Sequence, residues 1–378
     1  MNKHDFFKSF KIALIHDHCL TKGGSERVFY SLINSFPDAD FFAFTMNYES
    51  THEFLKKEKI HTHPLGKFVK NHRSFKLLFP IIIFLMSVWD FSKYDLIITS
   101  SSTSAKYIKN YKGIHVCYCY TPTRALWFHN KYFKKNKFLF INILFTLFIK
   151  IFQKIDLKAA QNIDYIISIS KITKNNIKKL YNRSSKLIYS PISNTFFSKS
   201  HKKFFNHNYF LLISRLEYEK NINHIIETFN NIDRKLYIIG DGYQKKELQK
   251  LSGSNITFLG SVDDNTLIKY LSSTQALIYP TELEYGLVPI EANALGVPVI
   301  AYGKGGVKET MRFNEENPHK NTAIFYKSKN PKSLQDALKK FDEAIFDSNT
   351  LKKNASRFSE KIFIRNIQNY IKSILLKH

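Results

Sequence analysis

Short apolar, β-branched runs alternate with amphipathic helical stretches along nearly the whole chain, and the alternation breaks once, near the middle. The opening "KIALIH" (11–16) runs into "DHCLTKGGSERVFYSLINSF", a Gly-Gly turn followed by Val28, Leu32, Ile33 and Phe36 at helical spacing. "YDLIITSSS" (94–102) and "GIHVCYCYTP" (113–122) repeat the buried-strand pattern, and "IDYIISISKITKNNIKKLY" (163–181) reads as a strand and then a basic helix. Strands apolar on both faces and separated by helices predict an α/β fold in which a parallel sheet is covered on both sides.

The break falls at "PISNTFFSKSHKKFFN" (191–206), which has no clean periodicity and reads as a linker. The pattern then restarts with "NYFLLISRLEYEKN", "INHIIETFNNI", "KLYIIGDG", "YQKKELQKL", "NITFLGSV", "DNTLIKYLSST" and "QALIYPTE". Two α/β domains in tandem follow, 1–195 and 205–357. A C-terminal helix, 358–378, carries Phe363, Ile367, Tyr370, Ile371 and Ile374 along one side and is able to cross back to the first domain. With 378 residues, 44% of them hydrophobic, the chain can build two cores.

Charge is unevenly divided. Of 57 Lys and Arg and 31 Asp and Glu, residues 1–200 hold 31 and 12, a net of +19 out of +26. Residues 101–200 alone hold 18 against 2, so an anionic surface, nucleic acid or acidic lipid, is met by the first half. The plain alternative is the Lys-rich composition of an AT-rich genome. Two apolar segments in that half, "LLFPIIIFLMSVW" (77–89) and "FLFINILFTLFI" (138–149), fall short of the ~20 residues that a spanning helix needs. Each follows a basic tract, "KFVKNHRSFK" or "KYFKKNK", as in a helix lying on an anionic leaflet; an ordinary buried helix or a dimer contact is the alternative. Cys117 and Cys119 are one residue apart, which suits neither a disulfide nor a CxxC motif, and the N-terminus shows no secretory signal. A cytoplasmic chain is expected.

Two stretches of the second domain carry candidate chemistry. In "ISRLEYEKN", Arg215 and Lys220 follow the first strand, at the end where doubly wound sheets bind ligands. A forked guanidinium and a mobile ammonium suit a pyrophosphate and can stabilise a departing nucleoside diphosphate without metal. The other is "YPTELEYGLVPIEANALGVPVIAYGKGG" (279–306), which puts Glu282, Glu284 and Glu291 around a strand end, a loop with Gly286 and a helix starting near Pro289. Glu291 is expected in that helix's first turn. Carboxylates there repel phosphate and are better suited to accept from sugar or ribose hydroxyls; Glu291 can also merely complement the helix dipole.

Taken together, "IHDHCLTKGGSERV", "FPDADFFAF", "YDLIITSSS", "CYCYTPTRALW", "ISRLEYEKN", "IIGDG", "FLGSV" and "EYGLVPIEANALGVPVIAYGKGGVKE" resemble the retaining glycosyltransferases of GT-B architecture, the large family with bacterial mannosyltransferases and lipopolysaccharide and capsule glycosyltransferases. The resemblance implies two facing Rossmann-like domains, the first binding acceptor and the second nucleotide sugar. It implies that Gly23 and Gly24 offer backbone amides to the donor phosphates, that Arg215 and Lys220 hold the diphosphate, and that Glu291 bonds the ribose. Tyr285, Gly286 and Leu287 would bind sugar hydroxyls through their amides, Gly260 and Val262 would wall the base, and Lys304, Gly305 and Gly306 would lie near the sugar. The family spaces two glutamates seven residues apart; counting back from Glu291 lands on Leu283, so Glu284 is taken as the acid that meets the sugar. Where many relatives have His, this chain has Tyr120, which is taken as the second catalytic candidate although a Tyr hydroxyl is a poor base near neutral pH.

The expected function is hexose transfer, mannose first, from a GDP- or UDP-linked sugar to a lipid-linked saccharide of O-antigen or capsule, without cofactor or metal. It would take place peripherally on the inner face of a bacterial cytoplasmic membrane. A sugar-nucleotide epimerase or an inactive donor-binding scaffold on the same fold is the alternative. A nucleic-acid-binding protein is the third reading; no compact base-reading motif supports it, and no nucleic acid is expected as partner. The sequence leaves the oligomeric state open.

Overall fold

A computed structural model of the chain describes residues 6–128, 139–197 and 208–378, with 139–144 described by backbone alone. The basic tract at 131–137 and the linker residues 198–207 lie outside the described residues. The chain divides into two compact units: residues up to Pro191 with Glu360–His378, and Ile192–Ser359. In the second unit the amide of Ile192 donates to the carbonyl of Phe358 at 3.0 Å, tying together the points where the chain enters and leaves.

Unit 1 is built on a seven-stranded, all-parallel sheet in the order β3-β2-β1-β4-β5-β6-β7. Its strands are β1 (Ile12–His16), β2 (Asp40–Ala43), β3 (Ile60–Thr62), β4 (Leu96–Ser101), β5 (Ile114–Cys119), β6 (Tyr165–Ser168) and β7 (Lys186–Leu187). All residues of β1 and β4 are buried, which accounts for their apolar runs, Ile12–Ile15 and Leu96–Ile98, ahead of polar carboxyl ends. The helices are α1 (Gly24–Ser35), α2 (Glu53–Lys56), α3 (His72–Leu77), α4 (Phe79–Val88), α5 (Arg124–Trp127), α6 (Leu139–Asn162) and α7 (Lys171–Tyr181). Pro80 sits in the first turn of α4, where a missing N–H costs nothing, so the segment 77–89 breaks into two helices at Leu78. The three cysteines are free and buried.

Unit 2 has a six-stranded parallel sheet in the order β10-β9-β8-β11-β12-β13, from β8 (Tyr209–Ile213), β9 (Lys235–Ile239), β10 (Ile256–Gly260), β11 (Leu277–Tyr279), β12 (Val299–Tyr302) and β13 (Ala323–Tyr326). Its helices are α8 (Asn223–Asn230), α9 (Lys245–Leu251), α10 (Asp264–Ser272), α11 (Leu287–Ala294), α12 (Val307–Thr310), α13 (Pro331–Glu343) and α14 (Ser348–Ser356). The core gathers Phe210, Leu212, Ile238, Ile278 and Ile300 from one face of the sheet with Ile225 and Phe229 of α8 and Leu334 of α13. In each unit the strand order runs outward one way and then reverses, between β1 and β4 in unit 1 and between β8 and β11 in unit 2. Ligands of doubly wound sheets lodge outside the carboxyl ends of strands at such a reversal.

The last helix, α15 (Glu360–Leu375), belongs to unit 1. It buries Phe363, Ile367, Ile371 and Ile374, leaving Tyr370 half-buried. Three polar contacts fix it on α1: Ser31 Oγ and Asn34 Nδ2 each donate to Glu360 Oε1 at 2.9 Å, and Gln368 Nε2 donates to the Ser35 carbonyl at 2.8 Å.

Candidate functional site

In unit 2, β8 and β11 pair side by side, with Leu211 opposite Leu277 and Leu212 opposite Ile278, so the loops that leave them start next to each other at the reversal. The first loop carries Arg215 and Lys220. Its path is set by glycines: a Cβ on Gly240 would lie 1.9 Å from the Ser214 carbonyl oxygen, and one on Gly242 would lie 2.2 Å from that of Leu216. The "GDG" turn after β9 thus lets the Arg215 loop lie directly on it, and the Leu216 amide donates to the Asp241 carbonyl at 2.9 Å. Arg215 is 57% exposed, with Nη1 donating to Glu217 Oε1 at 3.3 Å, whereas Lys220 is buried at the end of a 3-10 turn, Tyr218–Lys220. The two cations therefore differ: one is free to swing, and the other is held.

The second loop, Pro280–Gly286, leads into α11. A matching glycine pair supports it from the end of β12. Gly305 takes a left-handed φ of +88°, and a Cβ on Gly306 would lie 2.3 Å from the Glu284 carbonyl oxygen. The Gly306 amide donates to the Leu283 carbonyl at 2.7 Å. "KGG" is thus the seat on which the acidic loop rests. Glu282 is exposed, Leu283 and Glu284 are half-buried, and Tyr285 and Gly286 are buried. The helix begins at Leu287, not near Pro289 as the sequence suggests, with Gly286 as its N-cap. Glu291 is therefore in the second turn, and it is buried. The dipole alone does not account for a buried carboxylate there, since that effect fades beyond the first turn. Gly260 ends β10 at a bulge with φ +70°, and Val262 follows, half-buried. Arg215, Lys220, Glu284, Tyr285, Gly286, Leu287, Glu291, Gly260, Val262 and Lys304 all lie at the carboxyl rim of one sheet.

Gly23, Gly24 and Tyr120 lie at the corresponding rim of the unit 1 sheet. Gly23 caps α1, its carbonyl accepting from His52 Nε2 at 3.2 Å; a Cβ there would meet Glu26 Oε2 at 2.5 Å. Glu26 is buried and accepts from Thr21 Oγ1 and Ser25 Oγ, each at 2.7 Å. Burial alone would raise its pKa, but His18, His16 and the two hydroxyls hold it below the usual carboxylate range. Tyr120 donates its hydroxyl to the Ser25 carbonyl at 3.0 Å and meets Ser100 Oγ at 2.7 Å; burial pushes its pKa well up. The first contact holds the start of α1 and the second the end of β4, which makes Tyr120 a positioning residue in this arrangement.

Sequence reasoning passed over Asp17, whose buried carboxylate accepts from the amides of Ser102, Thr103, Ser104 and Ala105 at 2.7–2.9 Å and thereby closes the reversal between β1 and β4. The signal was present: an Asp directly after an apolar strand, opposite a Ser-rich strand end. Although burial opposes ionisation, His16 and these amides hold its pKa below the usual value. Its stabilising contribution is therefore full above the ordinary Asp value, ~3.9, and lost as pH falls through the lower folded value. Urea midpoints measured on acidification should fall less steeply for Asp17→Asn than for the wild type, from a lower starting stability.

Two doubly wound parallel sheets in tandem are the architecture of the GT-B glycosyltransferase fold. Within it, residues 193–358 match the model of the family described as glycosyl transferases group 1. A curated relative, the alpha-1,3/1,6-mannosyltransferase ALG2 of Candida glabrata, is 30% identical over 148 residues, 37% of this chain and 32% of that protein. The chain thus spans about a third of that relative's length. Two solved structures share the fold over nearly the whole chain. The Anabaena protein Alr3699/HepE in complex with UDP-glucose has TM-score 0.67 and 16% identity, covering 96% of this chain and 99% of that one. Sucrose-phosphate synthase from Thermosynechococcus elongatus has TM-score 0.72 and 14% identity, covering 97% and 100%.

Proposed function

We propose that the chain is a retaining glycosyltransferase that moves a hexose, mannose first, from a nucleoside diphosphate sugar to a lipid-linked saccharide of a bacterial surface polysaccharide. The observation that carries the reading is that the Arg215–Lys220 loop and the loop leading to the buried Glu291 leave the paired strands β8 and β11 at the reversal, within a span that matches the glycosyl transferases group 1 model. A mannosyltransferase among the relatives favours GDP-mannose, and a UDP-glucose complex among the structural neighbours supports a UDP-linked donor. The acceptor would be met at the inner face of the cytoplasmic membrane.

Arg215 and Lys220 would bind the two phosphates, with no metal in the scheme, and Glu291 the ribose hydroxyls. Glu284 and the amides of Tyr285, Gly286 and Leu287 would orient the sugar. In a front-side displacement the bond from C1 to the phosphate oxygen breaks, and the acceptor oxygen bonds to C1 on the same face. The acceptor proton passes to the leaving phosphate, whose negative charge the two cations meet.

A thermal-shift series with GDP, UDP and ADP tests the donor half: one nucleotide at ~100 times its dissociation constant should stabilise unit 2 by ~2.7 kcal/mol. Donor mixed with a bacterial membrane lipid extract should then release that nucleotide. A shift without release favours the donor-binding scaffold; neither shift nor release overturns the proposal.

A further inference from the structure

Unit 1 turns apolar side chains outward from two neighbouring helices. Leu77, at the end of α3, is 82% exposed, and Ile81, Phe84 and Val88 of α4 are 53–63% exposed. Ile81, Phe84 and Val88, three and four residues apart on α4, make one stripe. On α6, Leu147, Ile151 and Ile155 form a second exposed stripe. Both helices pack against the 3-10 turn Ala105–Tyr107, and the Phe79 ring lies 6.3 Å from that of Phe152 and 6.1 Å from that of Tyr107. The stripes therefore belong to one face of the unit. The core does not require them, since it is served by Ile82, Ile83 and Met86 on α4 and by Ile149 and Ala159 on α6.

Charge identifies what covers this face. No Asp or Glu occurs in residues 59–89 or 139–155. Lys67, Lys70 and Lys76 are exposed beside the first stripe, and Lys150, Lys154 and Lys158 rise one turn apart along α6 beside the second. Such a face repels a second copy of itself. Among the described residues no helix is long and apolar enough to cross a membrane. We propose that this face docks on an anionic bilayer, with the apolar stripes in the boundary between headgroups and acyl chains and the lysines on lipid phosphates. The proposal deepens the reading of a lipid-borne acceptor. Its test uses no sugar nucleotide, so its failure and that of the transfer reading are told apart.

The full chain is sedimented with vesicles of phosphatidylglycerol and phosphatidylcholine in equal parts, and with phosphatidylcholine alone. Wild-type protein should bind the anionic vesicles and leave the neutral ones largely free, with binding weakened by salt. Ile81→Ser/Phe84→Ser/Ile151→Ser and, separately, Lys150→Glu/Lys154→Glu should each weaken binding about tenfold or more. Unchanged far-UV melting would show the variants folded; if the serine variant does not fold, the charge reversal at exposed lysines decides. Wild-type protein left in the supernatant, equal partition onto neutral vesicles, or wild-type binding by the charge reversal would overturn the proposal. So would a dimer that the serine variant dissociates, since the face would then belong to a second copy.

Discussion

Lys106→Met should destabilise unit 1 by about 3–5 kcal/mol, because it removes one partner of a buried ion pair. Lys106 is 2% exposed and Asp156, on α6, is fully buried; their charged atoms are 2.8 Å apart. Asp156 also accepts from the hydroxyls of Tyr107, Thr123 and Tyr181 and from the Trp127 indole N–H. One carboxylate thus gathers the β4–β5 connection, α5, α6 and α7. Without the ammonium, its negative charge stays buried with neutral donors only. Burial opposes ionisation, but Lys106 and the hydroxyl donors hold Asp156 below the usual carboxylate range in the wild type. The wild type therefore keeps this contribution above ~4 and loses it only on further acidification. In the variant the same carboxyl is pushed up, so folding takes up a proton and stability rises as pH falls toward ~4. The gap between the two proteins should be widest near neutral pH and should narrow on acidification. Both tryptophans, Trp89 and Trp127, lie in unit 1, so urea unfolding followed by indole fluorescence reports that unit alone. A midpoint unchanged near neutral pH would refute the assignment.

That network also shows where sequence reading stops. Alternating apolar runs and helices mark the central strands and both sheets, because strands buried on two faces are apolar at most positions; the polar ones, such as His16, Ser100 and Ser101, fall at their carboxyl ends. The edge strands β3 and β7 are short, "IHT" and "KL", and at an edge only one side pairs, so little apolar character is needed and none is visible. Residues 139–149 of the second apolar segment open a 24-residue helix whose inner side carries Asp156 while Leu147 and Ile151 point outward. A rule that buries apolar and exposes charged residues misplaces Asp156, Leu147 and Ile151 on this helix; only the partners contributed by residues 106, 107, 123, 127 and 181, distant in sequence, make a buried carboxylate tenable. In the candidate site, the glycine pairs after β9 and β12 are legible as turns. That they carry the Arg215 loop and the Glu284 loop is a matter of backbone approach across strands, which no local pattern records. Sequence puts the start of α11 near Pro289 because proline suits the first helical position, whereas in the structure Pro289 is the third helical residue.

Arg215→Ala should reduce turnover by two to three orders of magnitude, about 3–4 kcal/mol of barrier, the cost of deleting one donor to a developing anion. Because the side chain is more than half exposed and is bonded only at 3.3 Å to Glu217, its removal should leave the melting temperature nearly unchanged. Lys220 differs: it is 7% exposed, so Lys220→Ala should lower activity and stability together. Arg215→Lys keeps the charge but loses the fork that engages two phosphate oxygens, and should recover only part of the rate. Glu291→Gln tests the other half of the rim. If it grips ribose hydroxyls equally in ground and transition states, KM for the donor rises while kcat holds. The contrast distinguishes the roles: a kcat loss at Arg215 marks charge stabilisation as the phosphate departs, and a KM rise at Glu291 marks binding that chemistry does not alter. Steady-state rates of nucleotide release, with donor varied at fixed lipid extract, measure both. Wild-type turnover by Arg215→Ala would remove the diphosphate from the β8 loop, and with it the mechanism drawn on that loop.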